Sequence, residues 1–235
     1  MDFKSYFAAA KDEIKKTCII CQSFDLPLFS SVSKNGLFVK TAQIKNATVV
    51  VLKNNFLAGD AVLRLKGSSC ENIILFGGCG GCGNVNIGDL LTIDKAYNFE
   101  SFTDMLKNRT ISQTAAFSGS AEFSRRNGAK EFTPAFCEKF KTAKIVKTNS
   151  ACVSSLVLEQ NYTQFFKRNG ICAIDMESSI VFSAANEIGA GVLCLFYVSD
   201  IVETPLGVLL KSGERQKIAA ARKKAAALIL DALNY

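Results

Sequence analysis

The stretch AIDMESS, residues 173–179, sets Asp175 and Glu177 on either side of Met176, directly after the apolar run GICAID. Two charges in that place need a reason, because an ionised carboxylate gives up its hydration on burial unless something binds it. Further along, LCLFYVSD leaves Ser199 and Asp200 at the carboxyl end of another apolar run. Groups of this kind can accept hydrogen bonds from hydroxyls or hand a proton to a leaving group. The chain has no histidine. Acid–base chemistry therefore falls to carboxylates, Lys, Tyr or Cys.

The elements that must position these groups are legible in outline. β-branched and apolar runs predict strands at 17–21, 46–52, 72–77, 89–94, 143–147, 170–175 and 190–200. Helical periodicity lies between them at 2–16, 58–67, 133–142, 159–168, 177–188 and 211–233. The alternation predicts an α/β fold, a sheet covered by helices. The helix from Glu177 turns Ile180, Val181, Ala184 and Ile188 to one face. Its positive end favours a carboxylate, so Glu177 is expected to stay ionised; the competing reading is a plain helix-start acid. If the two strands run parallel, Glu177 and Asp200 reach the same end of the sheet, where open α/β sheets bind ligands. Residues 99–132 are polar, rich in Ser and Gly, and weakly patterned, which predicts a functional loop or lid.

With 235 residues, 49% of them hydrophobic, the chain suits one domain spanning 1–235. The opening MDFKSYFAAAKDEIKK reads as an amphipathic helix rather than a secretory leader, and no apolar run is long enough to span a bilayer. Nine cysteines in that setting predict reduced thiols and a cytoplasmic protein. The net charge of +7 is scattered, and its densest cluster, ARKK at 221–224, reads as a solvated helix face. Neither a nucleic acid nor a membrane is expected as partner.

Two further patterns invite other chemistries. GGCGGCG at 77–83 contains G-x-G-x-x-G at Gly78, Gly80 and Gly83, but NVNIGDLLTID follows where a dinucleotide fold needs a helix. A strand, a tight glycine loop and a second strand fit better. Cys18/Cys21 and Cys79/Cys82 have zinc-site spacing. Side chains three apart on a strand point to opposite faces, so Cys18 and Cys21 favour buried thiols over a metal site.

Taken together, NIILFGGCGGCGNVNIGDLL, IDMESS and YVSD, in that order and spacing, resemble the superfamily of purine nucleoside phosphorylases, uridine phosphorylases and methylthioadenosine nucleosidases. The likeness covers about residues 17–230, and SGERQKIAAA at 212–221 is similar to a helix start of the hexameric purine phosphorylases. The resemblance implies a three-layer phosphorylase/hydrolase-like α/β fold, a mixed central sheet flanked by helices. It implies cleavage of the N-glycosidic bond of a purine nucleoside by a homo-oligomer, dimer or hexamer. In it Glu177 holds the ribose hydroxyls, Met176 packs on the sugar, and Gly77 and Gly78 line the site. Asp200 protonates N7 of the base, Ser199 positions Asp200, and Arg215 partners it.

The chain also departs from the family's patterns. Phosphorylases carry an Arg and a Ser where this chain has Leu75 and Gly78, and a phosphate-loop Arg near Phe29. The acceptor, phosphate as co-substrate or water, is therefore left open, and no cofactor or metal is expected. Asp25 falls near the place of the nucleosidases' catalytic acid and is the candidate base for water. Nucleosidases have an Arg at the place of Phe196, and the stacking aromatic of the base pocket is replaced by Leu158 or Val157. The alternative is a non-catalytic nucleoside-binding or regulatory protein that kept the ribose site.

Overall fold

The computed structural model describes residues 2–99, 105, 116–118, 145–204 and 212–234. Its strands are β1 (Thr17–Gln22), β2 (Lys34–Asn35), β3 (Val39–Gln43), β4 (Ala47–Leu52), β5 (Asn72–Gly81), β6 (Leu90–Phe99), β7 (Ala116–Ser118), β8 (Val146–Val153), β9 (Ile171–Asp175) and β10 (Gly191–Ile201). The helices described are α1 (Phe3–Phe7), α2 (Ala58–Arg64), α3 (Thr163–Arg168), α4 (Ser178–Ile188) and α5 (Ser212–Leu233).

β5 is the hub of a mixed sheet. It runs parallel to β1 and β10 and antiparallel to β9. β10 then pairs antiparallel with β6, β6 parallel with β8, and β8 parallel with β9, so the pairings return to β5 and close a ring. β4, β3 and β2 extend beyond β1 as an open wing.

The period of two sorts the strand side chains onto the two faces. Ile20, Val50, Leu75 and Phe196 pack with Val62 of α2 and Val181 of α4. Ile19, Val49, Ile74 and Tyr197 pack on the other side with Ala221, Ala225 and Ile229 of α5. A third cluster joins Phe99, Val153, Ile174 and Val202 with Phe166 of α3. Cys18 and Cys21 are buried on opposite faces as free thiols, as the strand period predicts.

Several boundaries differ from those the sequence predicts. The glycine run is strand, not loop, as far as Gly81, because β10 and β9 supply ladder partners to it. There the glycines are required by space: a Cβ at Gly81 would lie 2.8 Å from Val198 Cγ1. The turn comes at Gly83, with φ +75°. The expected helix over 2–16 is cut short by Ala8 in the left-handed region, φ 55°, followed by a 3-10 turn at Lys11–Glu13. Strands β2 and β3 have no counterpart among the predicted ones. β8 runs through the polar KTNS because β6 and β9 flank it. The helix expected at 133–142 and most of the loop expected at 99–132 lie outside the described residues.

Candidate active site

At the end of β9, Asp175 turns back on the chain that follows it. Its Oδ1 accepts from the backbone N–H of Glu177 at 2.8 Å and of Ser178 at 2.6 Å, and its Oδ2 from Ser178 Oγ at 2.7 Å. These bonds satisfy buried N–H groups at the start of α4 that have no partner within the helix. Asp175 is thus a strand-end acid with a structural task. Glu177 stands at the N-cap position, but its side chain makes no capping bond.

Relieved of that task, Glu177 is 8% exposed; its Oε2 accepts a long bond from Met176 N–H at 3.3 Å, and its buried Oε1 has no partner. Burial, and then the nearby charge of Asp175, push its carboxyl up to about 8. Against the expected ionised Glu177, burial works in the opposite direction to the helix dipole and favours the neutral carboxyl. Glu177 faces a small cleft walled by Gln22, Leu75, Gly77, Gly78 and Phe196. Its cavity of ≈ 10 Å³ is room for about one water. Met176 is half-buried beside it.

Asp200 arrives by a different route from the one expected. β9 and β10 are not parallel neighbours; β5 lies between them, with Gly80 paired to Ile174 on one side and Asp200 on the other. Two strand spacings, about 9–10 Å, therefore separate the ends that carry the two acids. The antiparallel pairing of β9 with β5 sets Ile174, three residues before Glu177, level with Asp200 across β5, where parallel pairing was expected. Ser199 Oγ lies 2.6 Å from Asp200 Oδ1 and 3.1 Å from the carbonyl of Cys79. Asp200 itself is exposed.

Gly77 and Gly78 have unlike surroundings. A Cβ at Gly77 would meet nothing within 4 Å, whereas one at Gly78 would lie 3.1 Å from Tyr197 Cε2 and 3.4 Å from Ser199 Oγ. Leu75 is buried, and Phe29 packs edge-on against Phe76 at 5.3 Å between ring centroids. Both places at which phosphorylases carry an Arg are thus held by apolar packing.

Asp25 is fully buried on the α5 side. Its Oδ1 accepts from Arg222 Nε at 2.9 Å, with Nη2 at 2.8 Å, and from Tyr197 OH at 3.4 Å; its Oδ2 is unpartnered. Burial raises its carboxyl to about 6, with Arg222 pulling the other way. It lies outside the walls of the Glu177 cleft. ARKK is thus not wholly a solvated face, since Arg222 is turned inward to this acid. Arg215 is exposed on the first turn of α5, with no contact to Asp200 among the described residues.

Leu158 is half-buried against the cluster of Phe99, Phe166 and Val202. Next to it stands a residue that the sequence did not single out. Glu159 is 3% exposed, its Oε2 is buried without a partner, and burial followed by the charge of Asp200 raises it to about 7. Its only sequence signal is an acid in VLEQNY, a pattern shared by any helix start. Among the described residues no three His, Cys, Asp or Glu are gathered to hold a metal ion, and no helix is long and apolar enough to cross a membrane.

Among solved structures, uridine phosphorylase from Vibrio fischeri ES114 superposes with a TM-score of 0.69 at 17% identity, over 95% of this chain and 93% of that one. The methylthioadenosine/S-adenosylhomocysteine nucleosidase of Campylobacter jejuni gives 0.66 at 12% identity, over 93% of this chain and 98% of the other. AMP nucleosidase from Bacteroides thetaiotaomicron VPI-5482 gives 0.66 at 15%, covering 97% and 94%. At such identities these likenesses show the fold. No curated protein sequence matches the chain. The sequence profile of the phosphorylase superfamily matches residues 29–234, the glycine strand, the Asp175–Glu177 turn and the Ser199–Asp200 strand end among them. The chain belongs to the phosphorylase superfamily, a family of enzymes that act on nucleosides.

Proposed function

We propose that this protein cleaves the N-glycosidic bond of a purine nucleoside, with water as the acceptor. The observation that carries the reading is Glu177: a buried carboxyl with a free Oε1 in a cleft, one crossing strand away from Ser199–Asp200. A buried acceptor left without a partner costs stability, and a ribose diol would supply the missing donors. Met176 packs beside the sugar in this reading.

Asp200 is the acid. Ser199 Oγ donates to Asp200 Oδ1 at 2.6 Å and lies 3.1 Å from the Cys79 carbonyl, which orients the carboxyl. Proton delivery to N7 turns the departing base into a neutral leaving group, a contribution of about 10²–10⁴-fold for general acid catalysis. A pyrimidine has no N7 to receive that proton.

Water is favoured by what fills the phosphate positions. Leu75 and Phe29 are committed to packing, and a side chain at position 78 would press on the Tyr197 ring. An anion held there would lack the charge-assisted bonds that phosphate needs. Asp25, the candidate base, lies across the sheet from the Glu177 cleft with its Oδ2 unpartnered, so this reading gives it no direct contact with the water. The site is small when empty, so substrate entry must open the cleft. A homo-oligomer in the cytoplasm fits the family's habit and the reduced thiols.

The test is base release from adenosine, inosine, methylthioadenosine and uridine, each with and without phosphate. Free purine and free sugar in phosphate-free buffer are expected. Release that requires phosphate and yields a sugar 1-phosphate overturns the acceptor. Ligand-induced stabilisation without turnover would favour a binding protein instead.

A further inference from the structure

Glu159 is used by nothing described so far. It opens the 3-10 turn Glu159–Tyr162 after β8, between Leu158 and α3. A helix-start acid commonly accepts from the N–H groups of its own turn, but the turn here is closed by Ser155, whose Oγ accepts from Leu158 N–H at 3.2 Å and whose carbonyl accepts from Glu159 N–H at 3.2 Å. The Glu159 carboxyl is left with a buried, unpartnered Oε2. Leu158 and Tyr162 on this turn pack in one cluster with Val202, two residues beyond Asp200, so the turn sits against the Asp200 strand end. Glu159 and Glu177 are alike in that each keeps a buried acceptor oxygen free, Glu159 beside the Asp200 strand end and Glu177 in its cleft.

A purine offers more than N7 to a pair of acids. On the same edge as N7, a 6-aminopurine carries an N–H donor at C6, and a 6-oxopurine carries a carbonyl acceptor. A protonated acid at N7 and a carboxylate acceptor next to it complement the first pattern. They set two acceptors face to face in the second.

We propose that Glu159 reads position 6 of the base, its free Oε2 accepting from the exocyclic amine, so that the substrates are 6-aminopurine nucleosides. This rests on the reading that Asp200 addresses N7. A site built to receive a hydrogen bond rejects a substrate that cannot give it, because the buried acceptor stays unpaired.

The experiment compares kcat/KM for adenosine, inosine and unsubstituted purine riboside in wild type, Glu159→Gln and Glu159→Ala. The wild type is expected to favour adenosine over inosine by about 10- to 100-fold. The amide of Glu159→Gln can both donate and accept, so adenosine should fall and inosine rise until the two are nearly level. Glu159→Ala should lose most on adenosine and little on purine riboside. A wild-type preference for inosine, or a ratio unchanged in Glu159→Gln of wild-type melting temperature, overturns the proposal; a partial loss of folding lowers all substrates together and so does not hide a shift in the ratio.

Should no nucleoside be cleaved, the hydrolytic reading fails on its own. The inference is then read from thermal stabilisation by free adenine against free hypoxanthine. Greater stabilisation by adenine that vanishes in Glu159→Gln supports it, and equal stabilisation or none overturns it.

Discussion

Three acids in and around the site are buried beyond what their hydrogen bonds repay, and the sign of that effect is testable. Glu177 is raised from 4.5 to about 8, Glu159 from 4.5 to about 7 and Asp175 from 3.8 to about 6, each chiefly by burial. A carboxyl whose folded pKa exceeds its unfolded one binds its proton more tightly when folded. It costs nothing below the unfolded pKa, and it destabilises increasingly as pH rises to the folded one. The melting temperature of the unliganded protein should therefore fall between about pH 3.8 and 8 through these three groups. Glu177→Gln should flatten that fall and gain about 2 kcal/mol or more at pH 8. The same variant should lose about 10- to 100-fold in kcat/KM, as expected for replacing a charged acceptor by a neutral one. A destabilised Glu177→Gln would show that the carboxylate is paired in the free protein.

Among the elements, β5 holds the site together, and its glycines divide by function. Gly81→Ala should destabilise by about 1–3 kcal/mol, since its Cβ would meet Val198, Ile201 and Val85 at 2.8–3.0 Å. Gly77→Ala meets nothing within 4 Å and should leave the denaturation midpoint nearly unchanged while lowering activity by narrowing the Glu177 cleft. Equal stability losses at the two positions would contradict this division. The sequence made the alternation of strands and helices legible, along with the Glu177 helix and the long α5, because burial on one face writes a period into each. It did not disclose that GGCGG is strand, since glycine carries no side chain to alternate. Nor did it disclose that β5 stands between the strands of Asp200 and Glu177, because the order of strands is a property of pairing rather than of any local pattern. Glu159 and Arg222 stayed hidden for a related reason: their sequence neighbourhoods read as ordinary polar helix, and only tertiary packing turns them inward.

Across the whole molecule, the sheet separates two polar centres. The Glu177 cleft lies on the α4 side, and Asp25 with Arg222 and Tyr197 ties α5 to the end of β1. Arg222→Ala leaves the fully buried Asp25 unpaired and should cost about 2–3 kcal/mol, less than the ~3–5 of a fully buried pair because Arg222 is 25% exposed. Combining Arg222→Met with Asp25→Asn should restore much of that stability. Asp25→Asn alone should leave kcat nearly unchanged, because the acid lies across the sheet from the Glu177 cleft; a loss of about 10²–10⁴-fold in kcat with KM little changed would make it the base. The most direct measurement of the central claim is the release of free base from a purine nucleoside in phosphate-free buffer by the wild type and by Asp200→Asn, followed by chromatography. The predicted result is steady release of base and reducing sugar by the wild type and a fall of at least about 100-fold in the variant. Equal rates in the two proteins, or release by the wild type only after phosphate is added, would contradict it.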